Sequence, residues 1–210
     1  MLKGRLAFAR RDYAEARKFF ERAQEINKDD FMANVMLGHT LVRLGENGPA
    51  DRLLRDLLSA PVWGGHAWLA LGELRRRQGR FQDANTNLTR ARERLSSHII
   101  PPRIEALIDV ELALAWQRHR NWDHARVEQY LDAARQHSDE DFVEVLLAQG
   151  QFELGKRRRN LPAARRALEK ATELDPNLCE AWSSLRQVYQ AQRARAELRG
   201  IRGKMPESCR

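Results

Sequence analysis

The stretch Ala67–Ala84 reads AWLALGELRRRQGRFQDA. Its apolar residues recur three and four apart, which gathers them into one stripe along an α-helix. A tryptophan, Trp68, precedes Leu71–Gly72 by three residues, and Ala84 follows that glycine by twelve. Three consecutive arginines, Arg75, Arg76 and Arg77, sit in the same run. The stretch therefore poses a choice between a cationic binding site and one unit of a repeating scaffold.

Outward from this run, the same pattern returns. Gly4, Gly38 and Gly72 stand 34 residues apart. Ala16, Ala50 and Ala84 repeat the spacing, as do Phe20, Leu54 and Leu88, and then Ala23, Leu57 and Ala91. Small residues belong where two antiparallel helices approach closely, and large apolar ones fill the grooves between them. Short breaks (RRD, RLGENG, RQGR) separate the helices of a pair, and NKDD and SAPVWGG separate one pair from the next. Asp29, Asp30 and Ser138 are placed to cap following helices.

Composition agrees. Proline and glycine are sparse at seven and twelve in 210 residues, and good helix formers dominate, so an all-α chain is expected. The net charge is +8, distributed as a basic first hundred residues, an acidic 101–155 and a basic remainder. Such unevenness steers partners or favours self-association, whereas a blander reading has the arginines merely solvating helix backs. No apolar run is long enough to span a bilayer, and MLKGRLAFARRDY has no signal-peptide core, so a cytoplasmic location is expected. The two cysteines, Cys179 and Cys209, are far apart and imply no disulfide framework, which points to a reducing compartment.

These residues resemble the tetratricopeptide repeat, whose pattern runs W-x2-L-G-x2-Y, then A-x3-F, then P. Trp68, Leu71, Gly72, Ala84 and Leu88 follow it, as do Ala16 with Phe20, and Ala164, Leu168, Ala171 and Pro176; Trp182, Leu185 and Tyr189 open a further first helix. The register breaks at Ser96–Pro102, after which Ala113, Trp116, Trp122 and Ala125 hold the family positions of the fourth unit, and again in the fifth unit at Lys156–Arg159. The expected units are 1–30, 31–64, 65–98, 103–138 and 140–177, with a lone capping helix at 179–199 and a flexible tail at 200–210. The first helix begins mid-pattern at Met1, which favours a fragment of a longer chain.

The resemblance implies a right-handed α-solenoid of about five helix pairs, with first helices lining a concave groove. Carried onto this sequence, the groove positions are Arg5 and Phe8, then Met32, Val35, His39 and Arg43, then His66, Leu69, Glu73, Arg76 and Arg77. Phe142, Val145, Gln149 and Phe152 follow in the fifth unit, with Val110 and Arg118 in the displaced fourth. Arg75 takes the family's tyrosine slot, its stem over apolar surface and its head in water. Arg43, Arg76 and Arg77 beside an apolar track of Met32, Val35, Phe142 and Phe152 would suit an acidic or amphipathic segment, although solvated or internally paired arginines explain the same residues. The family's carboxylate clamp for chaperone tails is missing, because Met1, Arg5, Met36, His66 and Ala70 occupy its slots.

No catalytic or metal constellation is apparent. The run GQFELGK at Gly150–Lys156 imitates a phosphate loop but lacks the Ser/Thr that follows, and Gln151–Leu154 looks helical. His39, His66, His98, His119, His124 and His137 form no zinc spacing, and Asp139, Glu140, Asp141 and Glu144 sit where a helix start welcomes negative charge. The expected function is a non-catalytic protein–protein interaction scaffold without cofactor or metal. A basic nucleic-acid-binding repeat, motivated by GKRRRN, Arg165 and Arg166, and the repeat region of a larger enzyme or assembly factor are the alternatives. Self-association of the acidic middle with a basic end is a further route.

Overall fold

A computed structural model describes residues 1–96, 98, 100–117, 123–139 and 141–209, with nothing said of the Ser208 side chain. Arg118, His119, Trp122 and Glu140, which the sequence reading invoked, lie outside the described residues. The described residues form twelve α-helices and a terminal 3-10 turn, with no strand among them. They pair as α1 (Leu2–Ala9) with α2 (Tyr13–Ile26), α3 (Phe31–Leu44) with α4 (Asn47–Asp56), and α5 (Gly64–Arg77) with α6 (Phe81–Ser96). Then come α7 (Pro102–Gln117) with α8 (His124–Gln136), α9 (Val143–Gly155) with α10 (Leu161–Leu174), and α11 (Cys179–Ala191) with α12 (Arg195–Lys204).

The 34-residue lattice is a packing lattice. A Cβ added at Gly38 would lie 2.4 Å from Leu54 Cδ2, and one at Gly72 2.5 Å from Leu88 Cδ2. At Gly150 it would lie 2.4 Å from Leu168 Cγ. Each second helix thus drives one large side chain against the bare backbone of its own first helix. Ala16, Ala50, Ala84 and Ala164 are fully buried at the matching small positions. In the fourth unit Ala125 is exposed, and Val127, Leu131 and Ala134 carry the second-helix stripe instead. The register there runs two residues later than the repeat spacing predicts.

The turn within a pair repeats too. Arg11, Gly45 and Gly79 hold left-handed backbone at φ 60°, 78° and 75°, and Arg193 does so at 57°. Side chains at Asp12, Asp30, Asp123 and Asn160 accept from main-chain N–H groups and start α2, α3, α8 and α10. Among the described residues Ser138 caps no helix; its hydroxyl donates to Ala134 O at 2.7 Å.

First helices of successive pairs pack on one another along the chain, from α3 to α5, α7, α9 and α11. Successive second helices make no comparable contact among the described residues, so the stack curves with the first helices inside. Four interlocked apolar clusters run through it. One spans the first three pairs and another closes the last two.

The C-terminus differs from the expectation. Residues 179–199 are not a lone capping helix: α11 ends at Ala191, the chain turns at Arg193, and α12 returns as its partner. The supposed tail is therefore structured through Lys204 and ends in a 3-10 turn at Glu207–Cys209. A Cys179–Cys209 disulfide pins that turn to the start of α11, so the cysteines are paired after all. With that pair, the cysteine argument for a reducing compartment is lost. No helix among the described residues is long and apolar enough to cross a membrane.

Candidate functional site on the inner face

The three arginines of the opening stretch each reach a different helix. Arg75 is buried and pairs with Asp51 of α4, also donating to Gln78 Oε1 at 2.9 Å, so its head does not reach water as expected. Arg76 grips Glu111 of α7 with two hydrogen bonds of 2.5 and 3.1 Å. Arg77 donates to Glu73 at 2.8 Å and to Glu180 of α11 at 3.1 Å. The run ties α5 to three other elements and is first of all a structural device.

Glu73 is the centre of this inner network. It is 3% exposed, with Arg43 Nε 2.8 Å away, Arg77 at the same distance and His39 Nδ1 at 3.9 Å. Burial pushes its carboxyl up, but Arg43, His39 and Arg77 outweigh this and hold it well below the usual carboxylate range. Burial also depresses Arg43 and Arg76, and their carboxylate neighbours more than reverse it, raising both guanidinium pKa values. Among the described residues His66 has no such partner: burial, with His39 and His98 nearby, lowers it to about 4.

Several groove positions read from the sequence are in the core. Val35 packs in the apolar cluster of the first three pairs, and Leu69 against Leu88, Ile108 and Leu112. Phe142, Val145 and Phe152 pack with Val127 and Leu131, and Val110 joins them. The expected apolar track is therefore not an open surface, because each first helix buries residues against its own partner and against the next pair. Arg5 is exposed, while Phe8, Met32, His39, His66 and Gln149 are half-buried. Phe8 meets Tyr13 edge-on at 5.3 Å and His39 at 6.5 Å. Gly150–Gly155, the imitation phosphate loop, is the last part of α9.

On the inner face, open space among the described residues lies between α5, α7, α9 and α11. Two adjoining clefts of about 470 and 340 Å³ share Gln151, Ser184 and Gln187. Arg76, Arg77 and Glu180 wall the first, and Gln117 and Arg159 the second. Gln151 Nε2 donates to Ser184 Oγ at 3.2 Å, and Gln117 Nε2 to Ala148 O at 3.2 Å. Of this set only Arg76 and Arg77 were among the expected groove residues. A signal for part of the rest existed in α11, where SSLRQ sets Ser183, Ser184 and Gln187 on an inner helix.

Comparison with known proteins bears on these repeats. A tetratricopeptide-repeat profile matches residues 1–30. The structure superposes on the thermophilic tetratricopeptide-repeat protein TTC0263 of Thermus thermophilus with a TM-score of 0.68, at 22% identity, over 89% of this chain and 95% of that one. The fold is a tetratricopeptide-repeat solenoid. Human tetratricopeptide repeat protein 7A is 32% identical over 101 residues, which are 48% of this chain. The match covers 12% of that protein, so this chain corresponds to a small part of its length. The tetratricopeptide pattern explains the glycine-to-leucine contacts. It does not require the ion pairs that fill the inner face, which come from this chain's own residues.

Proposed function

We propose that the chain is a non-catalytic interaction scaffold that holds an extended, acidic segment of a partner protein in the cleft between α5, α7, α9 and α11. The observation that carries this is the lining: Gln117, Gln151, Ser183 and Gln187 present donors and acceptors of the kind a peptide main chain needs. Arg159 is exposed at one end and Arg77 is 28% exposed at the other, so a carboxylate can be met at either. Protein is favoured over nucleic acid because part of the basic run is already neutralised. Lys156 pairs with Glu128 and Glu153, and Arg165 with Glu169 and Glu197.

A positional-scanning library of fluorescent extended octapeptides tests the reading by anisotropy. Enrichment for Asp and Glu is expected, with about tenfold weaker binding after Arg159→Glu or Gln187→Ala. Binding that neither substitution alters, or that shows no acidic preference, overturns it.

A further inference from the structure

The ends of the solenoid meet inside it. Arg11, in the turn between α1 and α2, pairs through Nε with Asp175 at the end of α10 and donates from Nη2 to Glu144 of α9 at 3.2 Å. Its Nη1 donates to Tyr13 Oη at 3.2 Å. Asn177 Nδ2 approaches Arg10 O at 3.5 Å, and Arg77 bridges to Glu180. The Arg11 side chain is 11% exposed, so this is an interior contact.

No apolar cluster of the described residues accompanies it. Among the described residues no helix of the first pair packs extensively on α9, α10 or α11, and no apolar cluster joins the first pair to the last two. Every other junction in the stack has both. A junction made of ion pairs and hydrogen bonds opens at little hydrophobic cost, whereas one built on packed apolar side chains does not.

We propose that Arg11, held between Asp175 and Glu144, is an ionic latch that closes the solenoid on itself and restricts entry of a partner to its inner cleft. The gating rests on the reading of the cleft given above; the closure itself does not. With the latch released, the first pairs swing away from α9–α11, and the neighbouring bridge from Arg77 to Glu180 is the next to part. The partner segment that fits has carboxylates that take over Arg77 as Glu180 leaves it.

The experiment places spin labels on Lys18 of α2 and Glu173 of α10, both exposed and outside the latch, and measures their separation by pulsed electron resonance. The native cysteines are paired, so the introduced thiols label selectively. One short, narrow distance is expected for the parent chain and a longer, broader distribution for Arg11→Glu. Asp175→Arg added to Arg11→Glu again sets one cation between two carboxylates and should restore the short distance. The Glu replacement keeps a non-glycine residue in the left-handed turn, so backbone preference does not confuse the result. No lengthening in Arg11→Glu overturns the latch, as does lengthening that the second substitution fails to reverse.

The acidic octapeptide pool then reads the gating, with several-fold tighter binding expected for Arg11→Glu. Equal affinity in the open and closed chains overturns the gating. If the distance lengthens but no variant binds the pool, the cleft reading has failed while the closure stands.

Discussion

At the scale of the residue, identical amino acids have opposite consequences in different places. Gly38 faces Leu54 so closely that a methyl group cannot be accommodated without moving a fully buried side chain. Gly200, in exposed α12, has nothing within 4 Å of an added Cβ. Gly38→Ala should therefore lower stability by about 1–3 kcal/mol through overpacking. Gly200→Ala should raise the stability of its helix by roughly 0.5–1 kcal/mol, because alanine loses less backbone freedom on folding. Urea titration of the two variants checks the sign, and a stabilising Gly38→Ala would refute the packing lattice.

Histidine makes a second residue-scale case. His66 is lowered to about 4 from 6.5 by burial, so the folded chain holds the neutral ring and the unfolded chain takes the proton first. The stability this gives is present above pH 6.5 and lost as pH falls towards 4, up to ~3 kcal/mol in total. Glu73, held well below the ordinary carboxylate range, adds a loss only at lower pH, below the unfolded carboxylate value. Denaturant midpoints at pH 7 and 5 should differ clearly in the parent and much less in His66→Gln. Equal pH slopes would exclude His66 as the source.

At the scale of the element, α12 is the least self-sufficient helix. Ile201 is its one buried residue, with Leu198 and Met205 packing nearby. An apolar stripe this thin explains why residues 200–210 read as a tail. The disulfide supplies what the stripe lacks: closing a loop with sequence separation 30 restricts the unfolded chain by ~3–4 kcal/mol in the chain-entropy account. Reduction, or Cys209→Ser, should speed amide exchange in α12 and Glu207–Cys209 while α1–α9 keep their protection. Unchanged exchange in α12 would show that packing alone holds it.

At the scale of the whole molecule, the inner face is occupied by the protein's own charges. Arg43, Arg77 and His39 surround Glu73, Arg76 holds Glu111, and Arg11 joins the first pair to the fifth. Burying these ions is tolerated because each has a partner, and removing one partner would leave an uncompensated charge. The cost of that arrangement is an inner surface with less room for a partner than an open groove has. The remaining clefts, walled by amides and hydroxyls, are the proposed seat of a partner segment, and the proposed latch sets how readily it enters.

The sequence by itself determined the repeat. Gly4, Gly38 and Gly72 with Phe20, Leu54 and Leu88 are local consequences of close helix pairing, and local spacing survives in any fold that uses it. The arginine cluster was legible as charge, but not as structure. Whether Arg76 meets a partner protein or Glu111 depends on where α7 lies, which no spacing within α5 can specify. Tertiary structure likewise decided that Val35, Leu69 and Phe152 are core, since a first helix packs on two neighbours and only their placement tells the two buried faces from the open one. It also brought Cys179 to Cys209 and Arg11 to Asp175. The disulfide follows from the return of α12 along α11, whereas the Arg11 contact arises from the curvature accumulated over the stack, a property of every junction together and of no single stretch of sequence.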